Sequence, residues 1–85
     1  MKELMKALEA AEARANKADS EWEADPESKD LEKEFDEAYT AEHKAFEALV
    51  EKIVSTTSGR IDKRTAATLI RSKRKELESL VSRIV

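Results

Sequence analysis

The chain has 85 residues, of which 41% are Asp, Glu, Lys or Arg and 40% are hydrophobic, with one glycine, one proline, no cysteine and a formal net charge of −3. A chain this short buries one modest core, so residues 1–85 are read as a single helical domain. The lack of cysteine removes disulfides, thiolate zinc sites and thiol nucleophiles, and no stretch nears the roughly 18 apolar residues that span a bilayer. The amphipathic start, Met1-Lys2-Glu3-Leu4, is unlike a signal peptide, and the expected location is the cytoplasm.

Frequent Ala, Glu, Lys and Leu with few aromatics is the composition of long amphipathic helices. The expected fold is all-α: a three-helix antiparallel bundle with helices at about 2–24, 26–54 and 62–84 and the second helix central. The first helix sets Met1, Leu4, Leu8, Ala11, Ala15, Ala18 and Trp22 at steps of three and four, a heptad seam of the coiled-coil type whose middle is alanine. Trp22 closes that seam, either capping the core or serving as an anchor for a partner.

Residues 25–28, Asp-Pro-Glu-Ser, divide the first helix from the second. Asp25 is placed to cap a helix whose first residue is Pro26. The second helix has a wide apolar stripe, with Leu31, Phe35, Ala38, Ala45 and Leu49 on one flank and Tyr39, Phe46, Val50, Ile53 and Val54 on the other, as a helix touching two partners requires. The second break runs from Ser55 through Gly59 to Asp62, with Asp62 as N-cap and Ile61 placed to staple onto Ala66.

The third helix carries Ala66, Leu69, Ile70, Leu77, Leu80, Val81 and Ile84 on one side. Folding the chain about Ser58 brings Phe46 level with Ile70, Tyr39 with Leu77 and Phe35 with Val81. Two charges fall inside the apolar stripes, Glu42 on the second helix and Lys73 on the third, and the same register makes them a structural pair that fixes alignment.

Catalytic chemistry finds little to work with. His43, the one histidine, sits beside Phe35, Tyr39 and Phe46 at helical spacing and reads as a part-buried structural residue. There is no Glu-x-x-His, no phosphate-binding glycine loop and no calcium-loop pattern. No catalytic residue, metal site or cofactor is assigned, and the chain is expected to be non-enzymatic.

Charge is the most informative feature. Residues 1–54 hold 16 acids and 8 bases, whereas residues 55–85 hold 3 acids and 8 bases. Glu9, Glu12, Asp19 and Glu23 line one face of the first helix, and Glu27, Asp30, Glu34 and Glu37 line one face of the second. Such stripes suit docking on a basic protein, as small acidic inhibitors or regulators of phage or mobile-element type do by standing in for nucleic-acid phosphates. The alternative is an accessory protein that binds nucleic acid through the basic third segment, with Arg60, Arg64, Arg71 and Lys75 meeting phosphates. Exposed apolar ends, Met1, Leu4 and Met5 at one and Leu80, Ile84 and Val85 at the other, also suit a homodimer.

Overall fold

The computed structural model describes residues 2–84, with side chains through Arg83. Met1 and Val85, and the side chain of Ile84, which the apolar stripes and the dimer ends include, lie outside the described residues. Of the described residues 87% are helical, and none lies in a strand. Its elements are α1 (Lys2–Ala24), α2 (Lys29–Thr56), α3 (Lys63–Ser72), a 3-10 turn (Arg74–Glu76) and α4 (Leu77–Ile84). They fall into two compact units, Lys2–Phe46 and a second that begins at Glu47.

In the first unit the alanine seam does what its small side chains permit. Ala15, Ala18 and Ala38 are buried, and Phe35 packs against them. Leu8 is buried as well. Alanines bring two helix backbones close but remove little apolar area from water, so larger side chains such as Leu8, Trp22 and Phe35 must supply the bulk.

The link between α1 and α2 differs from the expected one. Residues 25–28 form a β-turn in which the Ser28 amide donates to the Asp25 carbonyl at 3.2 Å, with Pro26 in the second position. That position matches the fixed φ of proline, which is why the ring starts a turn here and not a helix. The cap of α2 is therefore Ser28, whose Oγ accepts from the Leu31 amide at 3.3 Å, and α2 begins at Lys29, three residues later than expected.

The second unit holds the larger buried side chains. Leu49, Ile53, Ala66, Ile70 and Leu77 are fully buried, and Val50, Ile61 and Val81 are close to it. Each fully buried Leu or Ile contributes roughly 2 kcal/mol by leaving water. α2 ends in a Schellman motif: the Gly59 amide donates to Val54 O at 2.9 Å and the Ser58 amide to Ser55 O at 3.2 Å. Both Ser58 (φ 53) and Gly59 (φ 82) take left-handed backbone conformations. Thr57, buried between helix and loop, donates its hydroxyl to Ile53 O at 2.9 Å and accepts from the Ile61 amide at 3.2 Å.

Asp62 caps α3 as its side chain and position imply, accepting from the Thr65 amide at 2.7 Å. Ile61 and Ala66, the two ends of the expected staple, are both buried.

The third helix is not continuous. It stops at Ser72, and Lys73, with φ −133 and ψ 37, leaves helical geometry before the 3-10 turn and α4. Local chemistry accounts for the break. Arg71 has Arg74 and Lys75 three and four residues on, like charges at helical spacings. The hydroxyls of Thr68 and Ser72 donate back to Arg64 O (3.0 Å) and Thr68 O (2.6 Å), a bonding pattern that bends helices. Among the described residues, four α-helices replace the three expected.

Candidate functional site

Within Lys2–Phe46 there are 14 acids and 7 bases, a strongly negative unit. Glu9, Glu23, Glu27, Asp30 and Glu37 are exposed, while Glu12, Asp19 and Glu34 are half-buried. Because α1 ends at Ala24 and α2 starts at Lys29, Glu23, Glu27 and Asp30 stand around the linking turn. Glu27 lies in the turn itself and not on α2, so the expected stripe on the second helix starts at Asp30.

Glu34 is not a free member of this stripe. The Arg14 guanidinium on α1 donates from Nε to Glu34 Oε1 at 2.7 Å and from Nη2 to Oε2 at 3.1 Å, and Nη2 also lies 3.8 Å from Glu37 Oε2. The bidentate fork is the arrangement guanidinium and carboxylate geometry favours. Hydrogen bonding to Arg14 holds the Glu34 carboxyl below its usual range, and the same bond raises Arg14. Charge patterning alone places both residues on their helices but not opposite each other. A stripe count sees acids and misses the one arginine that reaches them.

A row of rings runs from the interior of this unit to its surface. Trp22 lies 5.4 Å from Phe35, and Phe35 lies 4.5 Å from Tyr39, with tilted planes. Trp22 is half-buried, and its Nε1 is buried without a hydrogen-bond partner. Tyr39 is 42% exposed. His43, one turn beyond Tyr39, is exposed too, and not the part-buried residue its neighbours suggested. It shares the outer side of the helix with a tyrosine that is itself half outside.

In the second unit Arg60 lies exposed in the loop after α2, and Arg64 and Arg71 are exposed on α3. Lys75 is exposed as well but sits beyond the break, in the 3-10 turn, so a single continuous helical face does not carry all three. Arg71, Ser72, Lys73, Arg74, Lys75 and Glu76 instead line a shallow hollow of about 340 Å³. Lys73 is not embedded in an apolar stripe: it is 59% exposed at the break, with its Nζ 4.0 Å from Glu76 Oε2. Glu42 is half-buried on α2.

Among the described residues, no group of three or more His, Asp or Glu side chains is arranged to hold a metal ion, and no helix is long and apolar enough to cross a membrane. The chain matches no family model, no curated protein and no solved structure.

Proposed function

We propose that this chain is a non-enzymatic protein-interaction module that docks the acidic surface of residues 2–46 on a basic partner protein. The observation that supports this most directly is the exposure of Glu23, Glu27 and Asp30 around one turn, in a unit with twice as many acids as bases. Carboxylates clustered at a helix-to-helix turn project a negative field from a short, fixed support, which speeds encounter with cationic surfaces and rejects anionic ones. A second reading, nucleic-acid binding, is favoured by the cationic hollow at residues 71–76.

Affinity capture from the native host, with and without nuclease, separates the two. The expected result is a basic protein that survives nuclease treatment and is lost with the triple variant Glu23→Gln, Glu27→Gln, Asp30→Asn. Recovery of nuclease-sensitive nucleic acid, unaffected by the triple variant, would overturn the first reading in favour of the second.

A further inference from the structure

Tyr39 is exposed yet held in place. Its ring stacks on Phe35, and Phe35 packs on the buried alanines 15, 18 and 38. The exposed ring is therefore the outer end of a row rooted in the interior, and a partner docking on it would lose little side-chain freedom of Tyr39. Asp36, three residues before Tyr39, and Glu32, one further turn back, are both exposed. Asp36 is a neighbour of Tyr39 on the helix surface, and Glu32 lies one turn further along the same side, so one carboxylate borders the ring and a second follows a turn away.

An aromatic face beside carboxylates has a definite chemical complement. A guanidinium stacks flat on the ring and offers paired N–H donors to the acids, whereas an ammonium is a compact, more strongly hydrated point charge. We propose that Tyr39, with Asp36 beside it and Glu32 one turn further along the same side, receives an arginine side chain of the partner. This rests on the basic-partner reading above and adds to it the residue type recognised and the place where it lands.

The test uses the full chain and two probes, nona-arginine and nona-lysine peptides, titrated at low salt by calorimetry. Nona-arginine is expected to bind about three- to tenfold more tightly. Tyr39→Phe should keep that preference, and Tyr39→Leu should remove it while leaving nona-lysine binding unchanged. Equal binding of both peptides to the unaltered chain, or a preference that survives Tyr39→Leu, overturns the Tyr39 inference and leaves the basic-partner reading standing. If neither peptide binds, both fall. Should Tyr39→Leu fail to fold, the double variant Glu32→Gln, Asp36→Asn replaces it, and an undiminished arginine preference there overturns the inference equally.

Discussion

The Nε of Arg74 donates to the carbonyl oxygen of Ile70 at 3.1 Å. In an unbroken helix that carbonyl would accept from the backbone amide of residue 74. At the break, the side chain of the same residue supplies the donor, so a part-buried helix end keeps its acceptor satisfied. Arg74→Ala should cost roughly 0.5–1.5 kcal/mol, read as a lower urea midpoint at unchanged slope. Arg74→Lys should recover only part of the loss, since its ammonium lacks the planar fork that reaches back along the helix.

Thr57 ties the end of α2 to the chain that leads into α3. Replacing it with valine keeps the shape and strands the buried amide of Ile61, which cannot donate to a methyl group. The expected loss is about 1–3 kcal/mol. Thr57→Ser, which keeps both hydrogen bonds, should be milder, and equal losses in the two variants would show that packing and not the hydroxyl is what matters there.

Ser58 occupies the left-handed position that a Schellman motif ordinarily gives to glycine, while the glycine comes one place later. Ser58→Gly should relieve the backbone and stabilise the chain by about 0.5–1 kcal/mol net of the entropy glycine adds to the unfolded state. Gly59→Ala should act in the opposite direction. Open space surrounds the Cβ that alanine would add, so only its φ of +82 opposes the change.

The Arg14–Glu34 pair makes a pH prediction. Glu34 titrates lower in the folded chain than its usual 4.5 because Arg14 hydrogen-bonds its charged form. The contribution of the pair is therefore whole above that value and is lost as pH falls through the folded one. Arg14→Met should move the Glu34 titration, followed by carboxyl carbon chemical shift, back up toward the usual value. It should also flatten the fall in stability as pH drops below that usual value. An unmoved Glu34 titration would show that the fork is not populated in solution.

The helical class, α1 and the cap at Asp62 were legible because periodicity and a short polar side chain before a helix are local signals. The turn at Pro26 was misread because proline suits both the first position of a helix and the second of a β-turn, and only the Ser28 hydroxyl two residues on decides between them. The break at Lys73 was missed because apolar spacing from Ile70 to Leu77 continues across it, while the like charges and back-bonding hydroxyls that end the helix lie on its outer side. The acidic surface could be read from composition. The Arg14 fork and the row from Trp22 to Tyr39 could not, since they depend on which residues of two helices come level with each other.

The alanine interior of the first unit also sets how that unit opens. With Ala15, Ala18 and Ala38 at its centre, separating α1 from the start of α2 exposes few large apolar side chains, chiefly Leu8, Trp22 and Phe35. Amides there should exchange with solvent deuterium through small, frequent excursions, while those flanking Ile53, Ile70 and Leu77 should wait for rarer ones.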